Sequence, residues 1–301
     1  MSQPSGEQVE LCFENQRAVV TEVGASLRIY EVDGEAVIDG YGEHELANAG
    51  RGQVLAPWPN RLEDGSYELS GRKGTAALDE PARGNAIHGL VRWLRWTVGS
   101  RTDEFVAFEC DLAPQPAYPF GLGLEVSYTL SSDGLDVTVR ARCEDEVPVP
   151  FGIGFHPYLL AGGEHVDEAQ LLLPAASRLV LDERGLPHGN VDVAGTGYDF
   201  RSAGWIGDLH LDDCFTDLEG REAVLTTPAS GRETFLRVDE KFGYLMVYTG
   251  DTLPDTAARR RAVAIEPMSC TPNAFRNGLG LVMLQPGEEW IGGWTLGVRP
   301  T

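Results

Sequence analysis

The chain has 301 residues, of which 42% are hydrophobic and 23% are charged. These fractions are typical of a globular protein and exclude a disordered or fibrous chain. The 24 Lys and Arg residues stand against 46 Asp and Glu residues, which gives a formal net charge of −22. Because so negative a surface repels phosphate backbones and anionic lipids, we expect neither a nucleic acid nor a membrane as a partner.

The five cysteines are odd in number and scattered, and none belongs to a CxxC pair. This pattern predicts neither a disulfide framework nor a zinc site. The polar segment 1–10 lacks the apolar core of a signal peptide, and no run approaches the roughly 20 apolar residues of a membrane span. We therefore expect a cytoplasmic protein.

Alternation of apolar and polar residues is the dominant pattern along the chain, and it predicts β-strands with one buried face. In chain order, the alternating segments are 27–38 with a turn at Asp33-Gly34, 106–112, 124–130 and 135–139 on either side of Asp133-Gly134, and 294–298. An Asp-Gly turn between two such runs predicts an antiparallel hairpin. Residues 255–261 could form one or two helical turns capped by Asp255, or a solvated loop.

Many short strands with few helical segments predict an all-β protein, built as a large antiparallel β-sandwich or barrel. No linker or shift in composition divides the chain, so we expect a single domain over residues 1–301. GxSxG, P-loop, HExxH and complete GxGxxG motifs do not occur. Their absence argues against common serine hydrolases, nucleotide-phosphate sites and zincins.

Three titratable residues stand in apolar settings. His156 lies among Phe155, Pro157 and Tyr158, where partial desolvation would tune an imidazole for proton transfer. His88 follows two apolar residues and precedes a glycine. Both His88 and His156 could equally be hydrogen-bonded core residues. Glu266 interrupts the apolar run 262–268, so it is a candidate general base, or a strand-end glutamate pointing into water.

Further polar candidates lie in rigid or extended segments. Asn60 and Arg61 follow two prolines and a tryptophan, so the guanidinium could reach a hydroxyl or carboxylate from a stiff support, or lie at the surface. Asp212 and Asp213 would point to opposite faces of an extended segment, and one of them could face a ligand or cap a turn. The aromatic residues considered for stacking on a sugar are Trp58, Trp93, Trp96, Tyr158, Phe215 and Trp290. The other four histidines, His44, His165, His188 and His210, have the sequence context of surface residues.

Taken in chain order, these fragments resemble the aldose 1-epimerase family, the galactose mutarotases. The segments that carry the resemblance are Asn60-Arg61-Leu62 with Gly65-x-Tyr67, Ile87-His88-Gly89, His156-x-Tyr158 with Ala161-Gly162, Asp212-x-x-Phe215, Tyr248-Thr249-Gly250-Asp251, and Ile265-Glu266-Pro267 with Pro272-Asn273-Ala274-Phe275 and Pro286-Gly287-Glu288.

The resemblance implies a large antiparallel β-sandwich of the galactose mutarotase type that interconverts the α and β anomers of a free aldose. It implies that Glu266 is the base that takes the proton of the anomeric hydroxyl and that His156 is the acid at the ring oxygen. The two groups are expected on opposite sides of the sugar. The residues that it implies for holding the monosaccharide are Asn60, Arg61, His88, Tyr158 and Asp212. It implies no metal and no organic cofactor.

Three departures from the galactose-preferring pattern leave the sugar open. Pro157 follows the histidine, Leu160 stands where asparagine is usual, and Met246 replaces a glutamine that contacts the sugar in many galactose mutarotases. Other functions are also open: a hexose 6-phosphate mutarotase that uses arginines such as Arg51, Arg83 or Arg92, a non-catalytic sugar-binding protein on the same fold, and a glycosidase.

Overall fold

The structure is a computed structural model that describes residues 3–228 and 230–300. The strands are β1 (Gln8–Phe13), β2 (Gln16–Thr21), β3 (Ser26–Val32), β4 (Glu35–Ala36), β5 (Val54–Leu55), β6 (Arg61–Glu63), β7 (Ser66–Leu69), β8 (Arg72–Thr75), β9 (Asn85–Ile87), β10 (Thr97–Arg101), β11 (Phe105–Leu112), β12 (Leu122–Ser131), β13 (Gly134–Cys143), β14 (Val149–Phe151), β15 (Gly154–Phe155), β16 (Tyr158–Leu159), β17 (Gln170–Leu172), β18 (Ala175–Leu181), β19 (Pro187–Asp192), β20 (Gly204–Trp205), β21 (Asp212–Leu218), β22 (Glu222–Thr226), β23 (Arg232–Val238), β24 (Tyr244–Tyr248), β25 (Val263–Met268), β26 (Val282–Leu284) and β27 (Glu289–Pro300). Helical structure is confined to α1 (Ala274–Asn277) and 3-10 turns at Val166–Glu168 and Thr256–Ala258. Within the described ranges, no helix is long and apolar enough to cross a membrane.

Two large sheets dominate the architecture. One has nine strands in the order β10-β11-β12-β13-β27-β23-β22-β17-β20. The other has the order β19-β18-β21-β24-β25-β15-β5, with β16 also paired to β25. Neighbouring strands in both sheets run antiparallel. Smaller sheets are formed by β1 to β4 in sequence order and by the pairs β14-β26, β6-β9 and β7-β8.

The two large sheets pack face to face around one apolar core. Phe155 of the second sheet lies against Trp294 of the first, with ring centroids 5.3 Å apart. Phe215, Leu245 and Ile265 reach the same core from three neighbouring strands. This packing follows from the period of two in a strand, which places alternate residues of each strand in the space between the sheets.

The predicted elements are confirmed. Strands β12 and β13 form the expected hairpin, with Ser131 paired to Gly134, and β3 turns into β4 at Asp33-Gly34. The candidate helical segment after Asp255 is a 3-10 turn, and the Asp255 carboxylate accepts a hydrogen bond from the backbone N–H of Ala257. The predicted all-β fold class, a large antiparallel sandwich, is therefore correct.

Candidate active site

Strand pairing brings the two main candidates together across 110 positions of sequence. Gly154 of β15 pairs with Met268 of β25, and Tyr158 of β16 pairs with Ala264 of the same strand. Both pairs belong to one antiparallel register, in which the two residue numbers add up to 422. Residue 156 lies in the short interruption between β15 and β16, so this register places His156 opposite Glu266.

Glu266 lies on the face of the eight-stranded sheet that points away from the sandwich core. Its neighbours Val263 and Ile265 are in the main core, whereas Met268 packs into a small cluster on the other face. Glu266 is inside β25 rather than at its end and is only 2% exposed. The alternative of a strand-end glutamate pointing into water is therefore wrong, because the side chain faces a buried site.

His156 and Glu266 are in direct proximity: His156 Nε2 lies 3.3 Å from Glu266 Oε1. The expectation that acid and base stand on opposite sides of a sugar is therefore wrong. A ligand that reaches both atoms must meet them from the same side.

Burial dominates the electrostatics of this pair. It raises the pKa of the Glu266 carboxyl well above its ordinary value; Asp212 adds to the rise, and the Arg61 cation opposes it. Burial also lowers the pKa of the His156 imidazole to about 3, because a low-dielectric site disfavours either charged form. Both shifts favour the neutral form of the pair, in which the carboxyl is protonated and the imidazole carries a single N–H.

His88 is fixed by a reciprocal contact with Asn60. The backbone N–H of His88 donates to the Asn60 carbonyl at 2.8 Å, and the Asn60 N–H donates to His88 Nδ1 at 3.3 Å. Both residues have left-handed backbones, with φ of 64° and 55°, a strained conformation that is concentrated at functional sites. Burial lowers the pKa of His88 well below its ordinary value. Because Nδ1 accepts a hydrogen bond, the neutral ring carries its proton on Nε2 and can donate from there.

Arg61 is buried, at 7% exposure, so the alternative of a surface arginine is wrong. Its guanidinium does not reach freely into the cavity, because Nε and Nη2 donate to the two carboxylate oxygens of Glu80 at 2.9 and 3.1 Å. Asp212 lies 3.8 Å from Nη2. Sequence reasoning missed Glu80, which lies in a polar segment without a distinguishing pattern.

The two adjacent aspartates separate as an extended strand requires. Asp212 lines the cavity, whereas the Asp213 carboxylate accepts a hydrogen bond from Arg178 at 2.7 Å.

Met246 pairs with Glu266 across β24 and β25, but its side chain packs in an apolar cluster with Cys214. It contributes to the packing beneath the site rather than to the wall of the cavity.

Of the six candidate aromatic residues, Tyr158 and Trp93 lie at the cavity. The Tyr158 ring stacks on the His156 ring, with centroids 4.9 Å apart and planes 19° apart. Trp93 is about half exposed. The other four, Trp58, Trp96, Phe215 and Trp290, are core residues. His44, His165, His188 and His210 are exposed, as predicted.

All seven candidate site residues line one cavity of about 490 Å³: Asn60, Arg61, His88, His156, Tyr158, Asp212 and Glu266. The wall also includes Asn48, Glu80, Arg83, Arg92, Trp93 and Tyr248. In residues 3–228 and 230–300, no group of three or more His, Cys, Asp and Glu side chains is arranged to hold a metal ion. The cavity therefore combines carboxylates, imidazoles, an amide and aromatic rings, a set suited to polyhydroxylated ligands and proton transfer.

Comparison with known proteins identifies the class to which this fold and site belong. The family described as Aldose 1-epimerase matches residues 7–295. A protein of Escherichia coli K12 named uncharacterized protein YihR is 32% identical over 286 residues, which cover 94% of this chain and 91% of that protein. The aldose 1-epimerase of the same strain is also 32% identical, over 79% of this chain and 77% of its own.

A GalM/aldose epimerase homologue from C. elegans has the same fold, with a TM-score of 0.88 and 20% sequence identity. The superposition covers 98% of this chain and 99% of that one. The fold is thus that of the galactose mutarotase-like sandwiches. The chain belongs to the aldose 1-epimerase family.

Proposed function

We propose that this protein is an aldose 1-epimerase, which interconverts the α and β anomers of a free aldose by opening and reclosing the sugar ring. The observation that carries the proposal is the buried His156–Glu266 pair in the cavity wall, with Nε2 and Oε1 3.3 Å apart. Family membership supports the same reaction.

Ring opening requires two proton transfers at neighbouring atoms. The anomeric hydroxyl loses a proton, the bond between C1 and the ring oxygen breaks, and the ring oxygen gains a proton. Both oxygens are bonded to C1, so an acid and a base that act from one side can reach them together. The adjacent His156 and Glu266 meet this requirement without moving apart.

In the proposed mechanism, the Glu266 carboxylate takes the proton of the anomeric hydroxyl, and the His156 imidazolium protonates the ring oxygen. Opening leaves a neutral acid and a neutral imidazole beside an open-chain aldehyde. After rotation about C1–C2, the ring closes on the other face of the carbonyl by the reverse transfers. One proton passing between Oε1 and Nε2 relates the neutral form of the pair to the charged form that opens the ring.

The remaining cavity residues are proposed to orient the sugar. Neutral His88 offers an N–H donor beside the reacting pair, as described above. Asp212 and Glu80 present carboxylate acceptors for hydroxyl groups, with Arg61 holding the Glu80 carboxylate in place. Trp93 offers an exposed ring face at the cavity on which an apolar sugar face can stack.

Anomer exchange tests this proposal directly. Freshly dissolved α-glucose and α-galactose are followed by polarimetry and by NMR exchange between anomer signals, with and without protein in the same buffer. The expected result is a rate above spontaneous mutarotation that rises linearly with protein concentration. If no aldose on a panel of hexoses and pentoses responds, the proposal is wrong.

A phosphorylated aldose is a second candidate substrate, because Arg83 and Arg92 line the cavity. Arg51, the third arginine considered, does not line it. Both cavity arginines already face carboxylates: Arg92 pairs with Asp79, and Arg83 lies 3.9 Å from Asp212. A phosphate would have to compete with these groups, so we expect the faster rate with the free sugar. Comparison of glucose with glucose 6-phosphate decides between them.

A further inference from the structure

A buried ion pair lies next to the cavity, outside its wall, and has no part in the proposed proton transfers. Arg51 donates from Nε and Nη2 to Asp39 Oδ2, at 3.1 and 2.9 Å. Both side chains are buried, at 5% and 9% exposure. Arg261 also donates to the Asp39 carboxylate, and Asn48 accepts a third hydrogen bond from Arg51. A buried ion pair is weak grounds for stability, since desolvation offsets much of its attraction.

The guanidinium of Arg51 lies over the Tyr158 ring, and that ring stacks on the imidazole of His156. The central carbon of the guanidinium lies 4.9 Å from the centroid of the Tyr158 ring, and that ring stacks on the imidazole at 4.9 Å. The Tyr158 hydroxyl donates to the carbonyl of Ala49 at 2.9 Å. At Gly50, with φ of 82°, an added Cβ would lie 2.5 Å from His156 Cδ2. The backbone at Gly50 therefore packs directly against the His156 imidazole.

We propose that Arg51, fixed by Asp39, is a positioning residue for His156. Through the Tyr158 ring it sets the plane of the imidazole and thereby the approach of Nε2 to Glu266. The inference rests on the proposed function, because the position of Nε2 matters for catalysis only if His156 transfers a proton. Arg51 and Asp39 are outside the cavity wall, so they act on the reaction through His156 and not through contact with the sugar.

Arg51 also contributes to the electrostatics of His156. The titratable and charged groups around the imidazole are Glu266, His88, Tyr158, Arg51 and Arg92. After the larger effect of burial, the Arg51 and Arg92 cations lower the pKa of His156. Loss of the Arg51 charge should therefore make the imidazole easier to protonate, whereas loss of the stacked geometry alone should not.

Three variants separate charge from geometry. Arg51→Met removes both the charge and the planar guanidinium. Arg51→Lys keeps the charge but lacks the planar group with its several N–H donors. The double variant Asp39→Asn with Arg51→Met removes both buried charges together, so that neither is left unpaired. Arg237→Met is the matched control: this arginine also lies over an aromatic ring, at 5.2 Å from Phe235, but on the nine-stranded sheet.

Two readouts are measured on each variant: anomer-exchange kinetics, and the ¹⁵N chemical shifts of the His156 ring from pH 3 to pH 7, a range that reaches the folded-state pKa of about 3. We expect kcat to fall by about tenfold or more in all three Arg51 variants, with KM within about twofold of the wild type, because small displacements of a catalytic group are costly. The ring should protonate at higher pH in Arg51→Met, but not in Arg51→Lys. Arg237→Met should change neither readout.

The proposal is overturned if Arg51→Lys and the double variant retain wild-type kcat. Its electrostatic part is overturned if the His156 ring of Arg51→Met titrates as in the wild type. Equal losses in Arg237→Met would also overturn the proposal, because the effect would then be one of general stability. The ring shifts need no turnover. If the wild type catalyses no anomer exchange, the proposed function fails, while the shifts still report whether Arg51 sets the environment of His156.

Discussion

Replacement of Glu266 by Gln is the sharpest test of the proposed chemistry. The amide has nearly the volume of the carboxyl, so the buried site is neither emptied nor overfilled, but it cannot accept the proton of the anomeric hydroxyl. General base catalysis typically contributes about 10²–10⁴-fold to a rate. At about 1.4 kcal/mol for each factor of ten, this loss corresponds to about 3–5 kcal/mol of transition-state stabilisation.

The same variant has a predictable effect on stability. Because burial raises the pKa of Glu266 in the folded state, the contribution of this group to stability is complete below the unfolded carboxyl pKa of about 4.3. It is lost as the pH rises through the folded-state pKa. Gln does not titrate. As the pH increases above about 5, the free energy of unfolding of Glu266→Gln should therefore increase relative to that of the wild type.

The assay combines NMR anomer exchange at saturating sugar with urea unfolding at pH 5 and pH 8. Sugar binding is measured separately by calorimetry and should persist in Glu266→Gln. Glu68→Gln, which alters an exposed carboxylate, is the control and should behave as the wild type. Exchange within about tenfold of the wild-type rate in Glu266→Gln would refute a role as general base. Unchanged sugar binding and no catalysis in either protein would instead support a binding module.

Three further predictions concern the site and the core. The folded-state pKa of His156 is about 3, so between pH 6.5 and pH 3 this histidine takes up a proton only in the unfolded chain. As the pH falls across that range, the free energy of unfolding of the wild type should therefore decrease by up to about 5 kcal/mol more than that of His156→Gln. Urea titrations at a series of pH values measure this difference. Glu80→Ala leaves the Arg61 cation without its main partner and should cost about 2–3 kcal/mol of stability, below the range for fully buried pairs because Glu80 is partly exposed, together with a loss of kcat/KM; a stability equal to that of the wild type would contradict the pairing. Phe155→Ala opens a cavity against Trp294 between the sheets and should lower the free energy of unfolding by about 3–5 kcal/mol, as measured by urea denaturation; a loss under about 1 kcal/mol would show that the two sheets do not depend on this contact.

Local patterns in the sequence were sufficient for a few of the strands, among them β11, β12 and β13, and for several candidate residues. The alternation at 124–130 and 135–139 encodes a hairpin because the period of two and the Asp-Gly turn are local properties. Glu266 and His156 were recognisable because an ionisable group within an apolar run is costly unless it is paired or functional. These inferences needed no knowledge of which strand pairs with which.

The relations between those residues were decided only by the tertiary structure. The register of β25 against β15 and β16 places His156 beside Glu266 on one side of the site, and no local pattern specifies a pairing across 110 residues. The Glu80 carboxylate that holds Arg61, and Arg51 behind Tyr158, likewise become visible only when distant segments meet. Composition and periodicity determine which face of each strand is apolar, but the relative position of two side chains from distant segments depends on how the whole chain packs.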